Sequence, residues 1–404
     1  MASIVTRGKS YSVVYMDTID GARKQRWETY STLEKAKIRV EQINLYCRHK
    51  KALETHRVET VEQLMEVYIH LYGIPRWSFS TYQANCGLIR HYILPHLGSM
   101  RLTELTPRVV AELYRRLLTQ TRIDSPYHHW KEQTISACTL HSIHKVLHSA
   151  FEQAILWEYV TRNPFYRAPL PKMHSRHQNF LTPMQIEALL SHCDPILSLG
   201  IHLAFAGSLR KGELLALTWE DVDFDTGTIH INKTLSRISR EAAEQLNGKD
   251  ILFVFPPTGR ELQTLLVLKQ PKTEASVRIV YLPKTVLQAL KNHQSLQSKN
   301  SYFVVSDAPD MIFCYEDGRP IQESTLTKYF HAALQQAGLP KVSFHSLRHS
   351  SITYKLILSG GNIKAVQGDS GHAQADMIIE TYGHILDQCR RDNAVRFEQD
   401  FYKD

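Results

Sequence analysis

The chain has 404 residues, of which 43% are hydrophobic, and its formal net charge is +8 at pH 7. This length predicts two or three domains, and the apolar content is sufficient to give each of them a core. No apolar run approaches the roughly 18 residues of a membrane span, and no signal-peptide pattern is present, so the sequence predicts a cytoplasmic protein rather than a membrane or exported one.

Positive charge is concentrated in the first part of the chain. Residues 1–57 contain 12 Lys or Arg and 6 Asp or Glu, residues 58–176 contain 13 and 9, and residues 177–404 contain 23 and 25. A basic front half predicts that the N-terminal regions supply most of the affinity for a nucleic-acid backbone. A solvated basic surface is the alternative interpretation.

The N-terminal region predicts a small β-sheet unit. Residues 11–16 and 26–30 predict strands joined through a turn at 20–21, residues 32–46 predict a helix, and residues 47–57 predict a tether. A small sheet with exposed basic residues can enter a major groove, although such a unit could equally bind protein. The candidate DNA contacts on or near the strands are Arg7, Lys9, Arg23, Lys24 and Arg26.

The next region predicts four helices. Residues 60–63 (TVEQ) form a capping box before the first helix. The second begins at Ser80 and ends near Pro95, and Thr106-Pro107 opens the third.

Apolar residues at helical spacing predict a long fourth helix from about residue 133 to 159, which Asn163-Pro164 stops. Residues 170–179, with two prolines and several basic side chains, predict a linker. Several histidines of this helical region match the spacing of no defined metal site, and no carboxylate or cysteine cluster joins them. They are His91, His96, His128, His129, His141, His144 and His148.

The region after the linker predicts a mixture of helices and strands. Thr182-Pro183 begins a helix, and residues 228–232 form a strand after a turn. The stretch 237–268 is longer than a tight hairpin needs, and residues 251–255 predict a further strand within it. The six cysteines of the whole chain are scattered without a C-x-x-C pair, which indicates reduced thiols.

Two basic motifs lie in this region. The turn GSLRKGELLAL, residues 207–217, brackets Arg210 with glycines and opens an apolar helix. Further along, Lys272 lies in QPKT ahead of the strand-like residues 277–282, which predicts a position at the tip of a β-hairpin.

The most concentrated set of reactive side chains lies in residues 342–384. His345 and Arg348 stand at i and i+3 of a segment with helical apolar spacing, so both project from one face. His372 follows a glycine-broken connection, and Tyr382 comes after another short apolar helix.

Attack on a phosphodiester by a tyrosine oxygen needs such a set. A tyrosine hydroxyl is a weak nucleophile at its reference pKa of about 10, so it requires cationic surroundings that favour the phenolate. Arginine is suited to this because its planar fork donates to two phosphate oxygens and stays charged.

These motifs resemble those of the tyrosine recombinases of the phage-integrase family, especially integrases of phages and conjugative transposons. The family pattern is an arginine in G-x-x-R-x-G-E-L, a hairpin lysine, H-x-x-R, G-H and a tyrosine nine or ten residues later, and all are present in order. The family usually has an apolar residue directly before G-H, where this chain has Ser370. The resemblance implies the catalytic residues Arg210, Lys272, His345, Arg348, His372 and Tyr382, with Glu213 and His349 in supporting positions.

The resemblance also implies an α+β, mainly helical fold in three domains. These are an arm-type DNA-binding domain with its tether in residues 1–57, a helical core-binding domain in 58–169 and, after the linker 170–179, a mixed α/β catalytic domain in 180–404.

The implied activity is site-specific recombination through a 3′-phosphotyrosyl intermediate, which integrates and excises a mobile element without a metal or other cofactor. The implied partners are double-stranded DNA at attachment sites, further copies of the chain in a homotetramer, and an accessory DNA-bending or directionality protein, on the nucleoid of a bacterial host. One alternative is a non-catalytic DNA-binding or architectural protein on the same scaffold, and another is a relaxing topoisomerase. The presence of all six motif residues argues against the first, and the basic N-terminal module argues against the second.

Overall fold

In the computed structural model the chain forms two compact units. The first comprises Met1–Arg76 and Ala84–Met173, and the second comprises Trp77–Gln83 and His174–Asp404. The division after Met173 lies inside the predicted linker, and the predicted domain boundaries stay predictions. The structure describes residues 3–7, 10–19, 22–30, 32–33, 36–37, 39–40, 43, 58–121, 134–173, 180–257, 263–300, 308–371 and 394–402.

An antiparallel sheet of three strands opens the first unit. Its strands, in the order β1-β2-β3, are β1 (Ser3–Arg7), β2 (Ser10–Ile19) and β3 (Ala22–Tyr30). Ile19 pairs with Ala22, so the two strands predicted from the sequence are confirmed as neighbours. Val13, Ala36 and Ile43 form a small core beneath the sheet, and the described residues from 33 to 43 are helical. The predicted tether lies outside the described residues.

The helices of residues 58–173 follow the predicted order. They are Val61–Val67, Ile74–Arg76, Phe79–Leu88, Leu94–Leu97, Pro107–Thr119 and Ala137–Leu156, with π-helical turns at Tyr68–Gly73 and Ile89–Ile93 and a 3₁₀ turn at Leu102–Glu104. The capping box at Thr60 is confirmed, and Thr106 caps the helix that begins at Pro107.

Two prolines lie inside these helices instead of ending them. Pro95 belongs to Leu94–Leu97, so the second predicted helix continues past the proline. The N–H of Leu94 donates to the carbonyl of Ile89, five residues back, and Ile74 bonds to Ile69 in the same way before Pro75. A proline lacks the N–H of the regular ladder and collides with the carbonyl four residues back, and a wider π turn accommodates this.

The fourth helix is shorter than predicted. It begins at Ala137, after the N-cap Ser136, and ends at Leu156. Glu158 adopts a left-handed backbone with φ +61°, and this turns the chain out of the helix before Asn163-Pro164 is reached. Apolar spacing does not report such a local turn, which is why the predicted end at residue 159 was too late.

The second unit contains most of the remaining helices and one large core. The helices are Pro183–Leu190, Pro195–Ala206, Lys211–Leu215, Arg240–Gln245, Lys284–Asn300, Glu323–Gln336, Ser346–Leu358, Ile363–Ser370 and residues 394–401, with 3₁₀ turns at Trp219–Asp221 and Glu274–Ser276. The predicted start at Thr182 is confirmed by a second capping box. Buried Leu203, Leu214, Phe313, Phe330 and Leu347 belong to the common core of this unit.

Two small antiparallel sheets complete the second unit. One has the order β4-β5-β9, with β4 (Val222–Asp223), β5 (Thr228–Ile231) and β9 (Arg278–Tyr281). The other has the order β6-β8-β7, with β6 (Thr234–Ser239), β7 (Ile251–Val254) and β8 (Thr264–Lys269). The strand predicted at residues 251–255 is therefore confirmed.

The predicted hairpin tip at Lys272 is wrong. Ile231 pairs with Arg278 in one sheet and Thr234 pairs with Lys269 in the other, so β8 and β9 do not pair with each other. Residues 270–277 lie outside both ladders and form a loop, called the excursion below, and this loop carries Lys272. Pro271 has no N–H to give to a ladder, which favours the departure.

Helices dominate the part of the chain that the structure describes, and the strands form three small sheets, so the predicted α+β, mainly helical class is confirmed. None of the helices described is both long enough and apolar enough to cross a membrane.

Candidate active site

Arg210 lies at the start of the short helix Lys211–Leu215. It is the N-cap residue, and its backbone N–H donates to Glu213 Oε2 over 2.9 Å while its Nη1 donates to Glu213 Oε1 over 2.6 Å. Gly212 lets this helix lie close to β6, because a Cβ there would be 2.5 Å from Thr234 Oγ1. The Arg210 side chain remains 35% exposed, so this turn presents a cation to solvent.

A second arginine pairs with the same carboxylate. Arg278 Nη2 donates to Glu213 Oε2 over 2.9 Å, and both side chains are buried. Burial alone would raise the pKa of Glu213, but the hydrogen bond and charge of Arg278, together with the charge of Arg210, hold that pKa below its ordinary value. Glu213 therefore stays ionised and offsets part of the arginine charge.

Arg348 lies in the first turn of the helix Ser346–Leu358, three residues after the N-cap His345. Only 1% of Arg348 is exposed. Its Nη1 donates to the carbonyl of Ser208 and its Nη2 donates to the carbonyl of Ser370, both at a distance of 2.5 Å. The helix thus carries a guanidinium whose direction is fixed by backbone acceptors on two other segments.

Ser208 holds its carbonyl toward Arg348 through an unusual backbone conformation. Its φ is +54°, in the left-handed region, and the residue is fully buried. Its hydroxyl oxygen lies 2.6 Å from that of Ser351, on the same helix as Arg348. A non-glycine residue in this region costs on the order of 1–3 kcal/mol, and such strain is concentrated at functional sites.

Three arginines donate hydrogen bonds to the C-terminal end of the helix Ile363–Ser370. Carbonyl groups at the end of a helix have no partner within it and carry partial negative charge, so guanidinium donors are favourable there. Three consecutive carbonyl oxygens each accept from a different arginine: Asp369 from Arg278 Nε at 2.8 Å, Ser370 from Arg348 Nη2 at 2.5 Å, and Gly371 from Arg210 Nη2 at 3.2 Å.

His345 and His349 lie beside this arginine cluster. Their ring centroids are 4.9 Å apart at an interplanar angle of 87°. Although His345 is exposed over part of its surface, desolvation of its ring and then the nearby His349, Arg348 and Arg210 lower the pKa of His345 to about 4. Desolvation and the charge of Arg348 also lower the pKa of His349. Both imidazoles are therefore neutral near pH 7.

The structure brings together Arg210, Glu213, His345 and Arg348 from the predicted set, with His349 next to them. Their assignment to catalysis stays a prediction. Lys272 is exposed on the excursion 270–277. The predicted His372 and Tyr382 lie outside the described residues, although Gly371, which directly precedes His372, is described and bonds to Arg210.

The predicted N-terminal DNA contacts are described only in part. Arg7, Arg23 and Lys24 belong to strands by their backbones, and Arg26 is exposed on β3. Lys9 lies outside the described residues. None of these five assignments is tested by the geometry.

Among the described residues, no group of three or more His, Cys, Asp or Glu side chains could hold a metal ion. The four cysteines that the structure describes, Cys86, Cys138, Cys193 and Cys314, form no disulfide bond.

Arg278 was not predicted as a site residue, yet it contacts the same carboxylate and the same helix end as Arg210. The signal was present in the alternation of residues 277–282. Arg278 shares the inward face of its strand with Val280 and Leu282, both buried, and an arginine at an apolar position needs charged or carbonyl partners.

The arrangement suits the binding of a phosphate group. Three guanidinium groups lie at the end of one helix with the buried carboxylate of Glu213 and the Lys355–Asp369 ion pair, and two neutral imidazoles lie near the arginines, which leaves an excess of positive charge. Arginines at such a place stabilise both a bound phosphodiester and the additional charge of its transition state.

Comparisons with known proteins agree on one family. Residues 257–388 match the description "Phage integrase family", and residues 60–118 match "Phage integrase, N-terminal SAM-like domain". A tyrosine recombinase XerC-like protein of Caldanaerobacter subterraneus subsp. tengcongensis is 26% identical over 302 residues, covering 71% of this chain and 72% of its own.

Solved structures show the same fold. The Tn1549 transposon integrase, in complex with a circular intermediate DNA, superposes with a TM-score of 0.65 at 22% identity, covering 84% of this chain and 99% of its own. The lambda integrase, in a tetramer bound to a Holliday junction, superposes with a TM-score of 0.55 at 16% identity, covering 92% of this chain and 94% of its own.

Proposed function

The chain belongs to the phage-integrase family of tyrosine recombinases, and from this premise we propose that it is a site-specific DNA recombinase that integrates and excises a mobile element. One observation carries the proposal: three arginines from separate segments converge on the carbonyls of residues 369–371, directly before His372. The carbonyls at a helix end need only hydrogen-bond donors, and three arginines exceed that need. A bound phosphodiester and its transition state, by contrast, are stabilised by an excess of positive charge.

The proposed reaction is an exchange of phosphodiester bonds. The hydroxyl oxygen of Tyr382 attacks the scissile phosphorus, the bond from phosphorus to the 5′-oxygen breaks, and a 3′-phosphotyrosyl link forms. Lys272 gives a proton to the departing 5′-oxygen, and a histidine takes the proton of Tyr382. The partner strand's 5′-hydroxyl then reverses the step, so that neither ATP nor a metal is required.

The geometry supports distinct roles for the described residues. Arg210 is more accessible than Arg348, so we assign Arg210 direct contact with the non-bridging phosphate oxygens. Arg348 is buried and contributes positive charge to the site from the interior. His345 has a pKa near 4, so its imidazole is neutral at pH 7 and offers one N–H donor and one acceptor nitrogen. His372 would complete the set.

The proposed partners follow from the family. The substrate is double-stranded DNA at attachment sites, and four copies of the chain act together on it, as the lambda integrase tetramer does on its Holliday junction. We propose that an accessory DNA-bending or directionality protein assists, and that the reaction takes place in the cytoplasm, on the nucleoid of a bacterial host.

A suicide substrate tests the proposal. A duplex of the element's own end, nicked so that the cleaved fragment diffuses away, should trap the wild-type protein as a covalent adduct on a denaturing gel. Tyr382→Phe should abolish the adduct and leave binding to the duplex nearly intact, because only one oxygen is removed. Adduct formed by the Phe variant would contradict the assignment of Tyr382, and wild-type binding without any adduct would favour the non-catalytic alternative.

A further inference from the structure

Arg278 connects three segments that carry the proposed catalytic residues. Nη2 donates to Glu213 Oε2 at 2.9 Å, and the same carboxylate accepts hydrogen bonds from Arg210. Nη1 donates to the carbonyl of Ser276, on the excursion that bears Lys272, over 3.0 Å. Nε donates to the carbonyl of Asp369, at the helix end before His372, over 2.8 Å.

The side chain is well suited to this connection. It is only 6% exposed, and its guanidinium is a planar fork with five N–H donors in fixed directions. A lysine at the same position would keep the charge opposite Glu213, but its single ammonium group could not reach acceptors on three segments in this geometry.

Residues 270–277 lie between two strand pairings, and the N–H of Gln270, at their start, donates to the carbonyl of Asp250 at 2.9 Å. The 3₁₀ turn Glu274–Ser276 gives it local structure, and Gly371 approaches it closely, with a Cβ there lying 2.9 Å from the Ala275 carbonyl oxygen. The bond from Arg278 to the carbonyl of Ser276, two residues earlier, sets the local shape at the end of the excursion, and the bonds of the same side chain to Glu213 and Asp369 hold this end beside the arginine cluster.

We propose that Arg278 is a positioning residue that holds the Lys272 excursion in register with Arg210 and with the segment leading to His372. This inference rests on the proposed function and adds a residue to it. Arg278 touches no reacting atom. It acts by fixing where the lysine proton donor stands relative to the phosphate, and displacement of a catalytic group by about 1 Å costs on the order of 10²-fold in rate.

The test uses Arg278→Lys in the full-length chain and two cleavage substrates. With an ordinary 5′-oxygen leaving group, we expect the variant to form covalent adduct about 10- to 100-fold more slowly than wild type. With a 5′-bridging phosphorothiolate, whose sulfur leaves without a proton, most of that loss should disappear. In a Lys272→Ala background, Arg278→Lys should cost much less than it does alone, because the group that it positions is already absent.

Lys233→Met is the matched control. The Lys233 side chain is 11% exposed and pairs with Asp221 at 2.8 Å and with Glu220 at 3.3 Å, so Lys233→Met disturbs an ion pair of the second unit whose partners lie on neither the excursion nor the helix end. Arg278→Lys and Lys233→Met should both lower the urea midpoint of unfolding. Only Arg278→Lys should change the ratio of rates on the two substrates.

Two outcomes would overturn the role of Arg278: an unchanged rate in Arg278→Lys, or an equal loss on both substrates and in both Lys272 backgrounds, which would indicate support of the fold alone. Wild-type protein assayed in parallel keeps this separate from the proposed function, since a wild-type chain that forms no adduct contradicts the recombinase itself.

Discussion

Glu213 shows how burial determines the role of a charged residue in this protein. Glu213 is 4% exposed, and its carboxylate accepts hydrogen bonds from two arginines, of which Arg278 is buried and Arg210 is open to solvent. By contrast, Lys211 and Glu323 form an ion pair over 3.0 Å with side chains that are 29% and 46% exposed. The buried Arg278–Glu213 pair and the Lys211–Glu323 pair have similar distances, but solvent screens only the Lys211–Glu323 pair.

Replacing Glu213→Gln should therefore destabilise the protein strongly. The change keeps the shape of the side chain but leaves buried arginine charge without its carboxylate, which costs about 3–5 kcal/mol for a buried pair. Glu323→Gln, the solvent-exposed control, should cost about 0–1 kcal/mol. Urea unfolding of both variants measures the difference, and equal losses would mean that Glu213 contributes no more than a surface residue.

The lowered pKa of His345 predicts a pH dependence of stability. The unfolded chain binds a proton at His345 with a pKa of about 6.5, whereas the folded chain does so only near 4. Between these values the unfolded state holds more protons, so the free energy of unfolding should decrease as the pH falls from about 6.5 toward 4. His349, His144 and His202, whose pKa values are also lowered, act in the same direction.

Removing the imidazole by His345→Asn should make this decrease smaller. The comparison is urea unfolding of wild type and variant between pH 8 and pH 5. The difference in the free energy of unfolding between wild type and variant at pH 8 serves as the reference, because His345 is neutral in both the folded and the unfolded state at that pH. A pH dependence that is identical in the two proteins would show that His345 titrates normally in the folded chain.

At the scale of the element, helix ends do more for the site than helix interiors. The N-cap Arg210 and the N-cap His345 begin two helices, and the C-terminal carbonyls of Ile363–Ser370 accept from the arginine cluster. The site is thus assembled from the unpaired backbone groups that every helix leaves at its ends. Gly371 ends the helix Ile363–Ser370 with a left-handed φ of +60°.

Gly371→Ala should therefore impair both stability and cleavage. A left-handed alanine costs about 1–2 kcal/mol, and the added Cβ would also meet the Ala275 carbonyl at 2.9 Å and Arg278 at 3.1 Å. Gly338→Ala is the control, because Gly338 has φ +64° and nothing within 4 Å of its Cβ position. The control should lose about 1–2 kcal/mol in urea and retain its cleavage rate. Similar behaviour of the two variants would mean that the close approach at Gly371 has no consequence.

At the scale of the whole molecule, charge separates the regions of the chain. Residues 1–57 carry 12 Lys or Arg against 6 Asp or Glu, while residues 177–404 carry 23 against 25. The proposed catalytic region therefore depends on a local arginine cluster rather than on overall charge, and the charge distribution predicts that the N-terminal module supplies affinity for the DNA backbone.

Deleting residues 1–57 should separate binding from chemistry. Cleavage of a short crossover-site duplex should persist, since every proposed catalytic residue lies beyond Leu209. On long DNA with flanking arm sites, the truncated protein should show a flatter salt dependence, because each lost phosphate contact removes about 0.9 from the slope of log affinity against log salt. Slopes that coincide on long DNA would indicate that the module contacts protein instead.

The sequence by itself determined the family, the order of the elements and most helix starts, because these depend on local features such as the capping boxes at Thr60 and Thr182. The family prediction is confirmed by the matches to both integrase descriptions. Local features did not determine the end of the fourth helix or the departure of residues 270–277 from the ladder, since both depend on backbone conformations that side-chain pattern does not specify.

Only the tertiary structure could show what holds the proposed site together. The sequence predicted Arg210 and Arg348 as catalytic residues but not their bonds to the carbonyls of residues 370–371, because those acceptors are backbone groups that every residue possesses. Nor did it single out Arg278, because two of its partners, Glu213 and Asp369, come from segments that only folding brings close to it. Motifs identify side chains by type and spacing, whereas burial and backbone hydrogen bonds are fixed when distant segments pack against one another.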